Sequence, residues 1–390
     1  MTAKLTALTL VSCLFFSGGV FAEEANSEVA DSGRKTKISY EEQIDKTSSS
    51  EKLYAKNECC PVAKSCCAEP CPPQCKDVTP SARGCHCRNG YFGFADFLYW
   101  TANEDSSTNY AFHLTDTVGQ IGSVVNLDTG ADPGFRIGVG GNFSYDGWDL
   151  AAAWTYYHNS STNSVSVFTN GTTLGLLSVF LTDANPGIPT ASATWKLNYN
   201  ALNLDLGRAF YVSKGLSLRP FISSETVWMH RWFAVNYGLE DAGNLNIVNT
   251  PGKYRGRANF WGTGPRAGMD TKWYLGCTGL NLTSNLALSM LYGEFKTSAM
   301  CVQSPVNSLR VDYTNKYWSA IPHLQILFGL GWESCFCSDQ YFLSFSAGWE
   351  LNKFWDVNRF LNASPNVETL LATSSGIFMQ GLTFRTKFDF

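Results

Sequence analysis

The stretch Phe378-Met-Gln-Gly-Leu-Thr-Phe-Arg-Thr-Lys-Phe-Asp-Phe390 alternates in side-chain character from one residue to the next. One register holds Phe378, Leu382, Phe384, Phe388 and Phe390, with Gln380 and Thr386 as its softer members. The other holds Gly381, Thr383, Arg385, Lys387 and Asp389. A period of two places the two sets on opposite faces of one strand. One face is apolar and aromatic; the other is small or charged. Alone, such a strand fits the surface of a soluble β-sandwich as well as the wall of a membrane barrel, so the rest of the chain must repeat the pattern.

It does. Tyr91 to Ala102 reads as the first strand, and Asp96 must face away from lipid, which sends Ala95, Phe97 and Tyr99 outward. In the second, Phe135, Ile137, Val139, Phe143 and Tyr145 alternate with Arg136, Gly138, Gly140, Asn142 and Ser144. Asp146-Gly147 is a favoured two-residue hairpin turn, leading into a third strand over 148–157. Residues 159–192 read as a long loop. A fourth strand, about 193–212, carries Trp195, Leu197 and Tyr199 on one face; a change of register near Leu202, Leu204 and Leu206 predicts a bulge. A turn at Ser213-Lys-Gly215 leads to the fifth strand, Leu216 to about Phe233, and later strands are read over about 260–273, 281–297, 320–330 and 341–351. Pro265 and Pro322 lack ladder donors and are the weakest points of this reading.

Connections alternate short and long, with turns near 146, 214, 278 and 336 and long loops near 118, 175, 245, 305 and 364. Short periplasmic turns and longer outer loops belong to a transmembrane barrel with an even strand number. The expected fold is all-β: an antiparallel transmembrane β-barrel over 91–390 with about ten strands, or twelve if a long loop hides a hairpin, preceded by a disordered cysteine-rich N-terminal arm.

Composition agrees. Aromatics make up 14% of the 390 residues and charged residues 16%, with a net charge of −4, so no basic field for nucleic acid exists. Met1-Thr-Ala-Lys4, the apolar run Leu5 to Val20 and Val20-Phe21-Ala22 read as a secretory signal peptide over 1–22, cut after Ala22. Residues 23–58 read as a disordered polar linker. The arm at 59–88 holds Cys59, Cys60, Cys66, Cys67, Cys71, Cys75, Cys85 and Cys87. In an exported chain these are disulfide candidates. Cys85-His86-Cys87 invites a metal, but the irregular spacings do not match a zinc site, and neither metal nor cofactor is expected. Cys277, Cys335 and Cys337 fall near periplasmic turns and join the disulfide candidates; Cys301 falls in an outer loop.

Charged residues of both signs occupy the inward register: Asp96, Arg136, Asp149, Arg219, Glu225, Arg266, Asp270, Glu350, Arg385 and Lys387. Facing lipid, each cation near the midplane would cost about 2–4 kcal/mol. They therefore line a wet pore or pair with one another in a filled barrel; barrels of about eight strands are filled and porins of 16–18 strands open.

A barrel strand that ends on Phe390 resembles the closing strand of outer-membrane proteins, the signal read by the barrel-assembly machinery. Tyr91-Phe-Gly-Phe-Ala-Asp-Phe-Leu-Tyr-Trp100 with Asn103-Glu-Asp105, Leu218-Arg-Pro-Phe221, Phe260-Trp-Gly-Thr-Gly-Pro-Arg-Ala-Gly268 and Gln380-Gly-Leu-Thr383 together resemble the Legionella-type major outer membrane protein family, which also occurs in chlamydia-like bacteria. The resemblance covers about 91–390 and implies a pore-forming, cysteine-bearing protein of the Gram-negative outer membrane whose disulfides stiffen the envelope. The expectation is a porin-like barrel that passes ions or small solutes, with its arm in the periplasm cross-linked to itself or to other cysteine-rich envelope proteins. The rival is a structural or adhesive surface barrel without an open pore. His86, His113, His158, His230 and His323 sit in no nucleophile motif, so no enzyme is expected.

Overall fold

The computed structural model describes residues 90–390 except 105–107, 117–120, 144–146, 168–175, 181–187, 214, 239–251, 277, 304–308, 337–340, 363–370 and 373–374. The signal peptide, the linker and the cysteine arm lie outside the described residues. Among the described residues no helix is long and apolar enough to cross a membrane.

Ten antiparallel strands close on themselves: β1 Gly90–Glu104, β2 Ala131–Asn142, β3 Trp148–Ser166, β4 Thr190–Arg208, β5 Leu216–Gly238, β6 Gly252–Tyr274, β7 Leu280–Gln303, β8 Leu309–Phe336, β9 Tyr341–Asn358 and β10 Ser375–Asp389. Each pairs with its neighbours in sequence, and β10 returns to β1, from Phe92↔Asp389 to Glu104↔Ile377. Closure leaves no sheet edge around the ring. At the end that carries the short turns, Tyr91 and Phe390 exchange backbone hydrogen bonds of 3.1 and 2.9 Å. Adjacent turns are tied there too: the Ala209 amide donates to Gly147, Tyr274 to Gly215 and Glu333 to Gly279. Gly147 and Gly279 have φ of +72° and +78°, left-handed values that suit glycine in these tight turns.

The two-residue period sorts the wall into faces. Tyr91, Phe97, Tyr99, Phe135, Ile137, Val139, Leu382, Phe384, Phe388 and Phe390 are exposed outward, whereas Asp96, Arg136, Thr383 and Asp389 are buried inward. Exposed aromatics form two outer belts, Trp228, Trp261, Tyr292 and Trp318 toward the loop end and Trp273, Tyr341, Phe388 and Phe390 at the turn end. Trp261 and Trp273 stand twelve residues apart on β6, a height of about 30 Å at ordinary strand rise and tilt, close to the apolar band of a membrane barrel.

Several strands run past the loop-end belt, and there the faces exchange chemistry without exchanging register. β4 pairs without interruption with β3, from Trp148↔Arg208 to Ser166↔Thr190. The expected bulge near Leu202 does not exist. Leu202 and Leu204 face outward between the belts, while Trp195, Leu197 and Tyr199 are buried inward higher up; the outward face there is Thr194, Lys196 and Asn198. The apparent shift is a strand passing from lipid to water. For the same reason part of the expected 159–192 loop is strand: β3 reaches Ser166, and Leu176–Ser178 joins Asn109–Asp116 and Ile121–Asn126 in a small three-stranded sheet.

Both prolines lie within strands. Pro265 faces Ser224 on β5, but the β6–β7 pairing is interrupted between Thr263↔Tyr292 and Arg266↔Ser289. Pro322 faces Met290 on β7 and stands one residue beyond the first β9 partner, His323↔Phe354, so the missing donor falls where pairing to β9 ends.

Candidate functional site

The alternation of β1 to β10 brings all ten expected charged residues into the barrel interior, and the structure pairs them. Arg136 reaches Asp96 at 3.0 Å and Glu350 at 2.7 Å, while Arg385 grips Asp96 through two bonds of 2.7 Å. Glu350 also accepts from Gln325 at 2.6 Å and from Thr383 at 2.8 Å. Arg219 is held by Asp149 and, at 2.7 Å, by Asp270. Arg266 meets Asp205 at 3.2 Å and donates to Gln325. Lys387 lies 3.0 Å from Asp389. Glu225 accepts from Ser289 at 2.5 Å and faces His323 Nδ1 at 3.1 Å. A paired, hydrogen-bonded charge is the tolerable form of a charge inside a low-dielectric wall.

These residues sit in two tiers. The tier at the turn end is a vestibule of about 250 Å³ whose lining includes Arg219, Asp270, Lys272, Arg385 and Lys387. Solvent reaches it, for the side chains of Arg385 and Asp270 keep 38% and 33% of their exposure. Phe92 and Phe94 fold over its wall because Gly138 and Gly140 leave room. A Cβ on either glycine would stand 2.3 Å from a phenylalanine ring carbon. The cations use those rings: the Lys387 ammonium is 4.0 Å from the Phe92 centroid and the Arg385 guanidinium 4.6 Å from that of Phe94. Deeper, the tier around Glu350, Arg136 and Glu225 is buried.

Above the deep tier the interior is apolar. Leu98, Trp100, Tyr157, Tyr199, Met229, Phe260, Phe295 and Phe354 belong to one continuous buried cluster that continues through Phe233, Tyr254 and Phe360. His323 bridges the zones, stacked on Phe354 at 3.8 Å. Trp100 Nε1 donates to Thr383 at 3.1 Å, and Tyr157 donates to the Trp100 carbonyl at 2.6 Å. Near the loop end, fully buried Arg231 pairs with Glu104 at 3.5 Å and bonds Asn358 at 3.0 Å, tying β1, β5 and β9 together. There burial depresses the Arg231 guanidinium below its ordinary value despite the Glu104 carboxylate.

Sequence reasoning missed Arg231, Glu104, Asp205, Ser289, Lys272 and Glu333. For Glu104, Arg231 and Lys272 the signal was available, since each shares its strand's inward parity with a charge already placed there, whereas no residue of β4, β7 or β8 had been placed inward to reveal Asp205, Ser289 and Glu333. Ser289, His323 and Glu225 do not make a hydrolytic constellation: Ser289 and Glu225 both meet Nδ1, Nε2 faces Asn352 at 3.3 Å, and the group is sealed in the wall. Among the described residues no group of acidic, histidine or cysteine side chains is arranged to hold a metal. Cys301 is not in a loop; it lies on the outer extension of β7, buried and free, with its Sγ 3.5 Å from the Phe180 carbonyl. Burial pushes its thiol up to about 11. Cys335 stands next to the last residue of β8, opposite Phe342, while Cys277 and Cys337 lie outside the described residues, as do Cys59 to Cys87.

A closed antiparallel barrel with two aromatic belts, an apolar outer band and a charged interior defines a β-barrel protein of the outer membrane. The family described as Legionella pneumophila major outer membrane protein precursor matches residues 85–390, and the chain belongs to it. A search of curated proteins finds no match. Among solved structures, the chain is similar to the outer membrane protease OmpT from Escherichia coli, at 10% identity and a TM-score of 0.38, over 77% of this chain and 95% of that one. It is also similar to the P. putida toluene transporter TodX, at 9% identity and a TM-score of 0.31, over 77% and 90% of the two chains. At such scores neither bears on what this chain does.

Proposed function

We propose that the barrel is closed at rest and serves the outer membrane as an anchored structural and surface element. One observation carries this reading: the buried aromatic cluster from Trp100 through Tyr199 and Phe354 to Tyr254 fills the lumen above the paired charges. A packed interior of this kind transmits neither water nor ions without rearrangement. The cysteine-rich arm enters as a periplasmic cross-linker, to other copies or to other cysteine-rich envelope proteins, on the chemistry of its residues. No catalysis and no cofactor belong to this reading.

The second reading is porin-like passive diffusion of ions or small solutes. The solvent-reached vestibule with its arginines and lysines favours it, and it requires the aromatic plug to move. Conductance of the refolded chain in a planar lipid bilayer, with and without reductant, separates the two. A silent membrane beside a correctly folded barrel supports the closed anchor. Stable open steps would replace it with the porin, and steps that appear only with reductant would tie the cysteines to gating.

A further inference from the structure

The outer surface of the barrel carries a one-sided basic field. Just beyond the Trp228, Trp261 and Trp318 belt, the outward positions of β4 to β8 present Lys196, Lys253, Arg255, Arg257, Lys296 and Lys316, all exposed. On β6 three of them follow one another on a single face, at 253, 255 and 257. Lys296 of β7 stands directly opposite Lys316 of β8, and Asn259 of β6 lies on the other side of Lys296. Arg257 stands opposite Trp232, over whose ring the Lys196 ammonium lies at 5.7 Å. Glu294, within the belt, and Asp312, higher on β8, are the acidic residues on this part of the outward face among those described. Across the barrel, the outward positions of β9, β10 and β1 to β3 at this level hold one described cation, Lys353, which rests 5.0 Å from the Phe378 ring.

Like charges directly opposite one another destabilise a strand pair. The Lys296–Lys316 pair and the β6 run therefore gain from an anion seated between them. Their height specifies where that anion comes from. The belt marks the membrane boundary on the side away from the turns and termini, and the cations begin one to two rows above it, at headgroup level. Basic clusters at that level take phosphorylated headgroups, and an arginine fork matches a phosphate oxygen pair.

We propose that the β4–β8 face is a binding site for the phosphorylated glycolipid of the outer leaflet, lipopolysaccharide. Its phosphates sit between Arg255, Arg257, Lys296 and Lys316, and its acyl chains run down the apolar wall below Trp261 and Trp318. The site goes beyond the functional reading above and holds for a closed barrel or a pore.

The test titrates the full chain, folded in a non-ionic detergent, with purified lipopolysaccharide, with the same lipid after phosphate removal, and with phosphatidylglycerol. Replacing Arg255, Arg257, Lys296 and Lys316 together by Gln is expected to weaken lipopolysaccharide binding on the order of a thousandfold, from the usual worth of each basic residue at a charged lipid surface. Phosphate removal is expected to weaken binding to the unaltered chain comparably, and Lys353→Gln to leave it unchanged. Lys316→Glu has two readouts of opposite sign: without lipid it should raise the unfolding temperature by relieving the cross-strand repulsion, and it should lower the affinity. A folded quadruple variant that binds like the parent overturns the site. Equal affinity for phosphatidylglycerol overturns the assignment to the glycolipid.

Discussion

Arg136 shows what holds the interior together at the scale of single residues. It stands between Asp96 and Glu350, both fully shielded from solvent, so its removal strands a buried carboxylate. Arg136→Met should cost about 3–5 kcal/mol, the usual penalty for breaking a buried pair from one side. Adding Glu350→Gln should return part of that loss, because Asp96 keeps its two bonds to Arg385. Urea unfolding of the four variants in a double-mutant cycle measures the coupling, and strictly additive losses would contradict the pairing. Cys301 gives a second prediction. With its thiol pushed up to about 11, it stays protonated at pH 8 and should resist maleimide until the barrel unfolds. The folded chain holds that proton more tightly than the unfolded chain does. The contribution is therefore present below the ordinary thiol value and is lost as pH rises through it toward about 11.

At the scale of an element, β10 concentrates the logic of the wall. Phe384 faces outward opposite Phe97 of β1 and Ala347 of β9, while Lys387 faces the vestibule. Phe384→Arg places a cation in the apolar band and should cost about 2–4 kcal/mol of folding stability in bilayers. Lys387→Gln, three residues away on the other face, should cost far less, since it sits in a solvent-reached tier. Equal losses in a vesicle-refolding titration would mean the faces are misassigned. β4 teaches the complementary lesson: one unbroken register carries leucines outward low on the strand and Trp195, Leu197 and Tyr199 inward high on it.

For the whole molecule, the balance lies between an open vestibule and a sealed outer half. Truncating the plug by Tyr199→Ala together with Phe354→Ala should produce conductance steps in a planar bilayer where the parent is silent. In that opened background, neutralising Arg136, Arg266 and Arg385 should move the reversal potential under a salt gradient toward cation preference. An unchanged potential would show that these arginines do not line the path.

The period of two, the paired turns and the chemistry of each register were enough to read ten strands, the lipid face and the ten inward charges, because lipid allows so few ways to satisfy a backbone and punishes each misplaced cation. Four motifs, from Tyr91-Phe-Gly-Phe to Gln380-Gly-Leu-Thr383, carried the family. Which inward charges meet was not legible: Arg136 and Glu350 are 214 residues apart in sequence and become partners only when closure of the ring pairs β10 with β1, leaving just those two strands between β9 and β2. The aromatic plug was hidden for a related reason. Trp195 and Tyr199 have the same pattern as a lipid-facing strand; the unbroken register they share with Asn203 and Asp205 turns their rings inward, and only the height at which the strand leaves the membrane explains why the aromatic face there is the inner one.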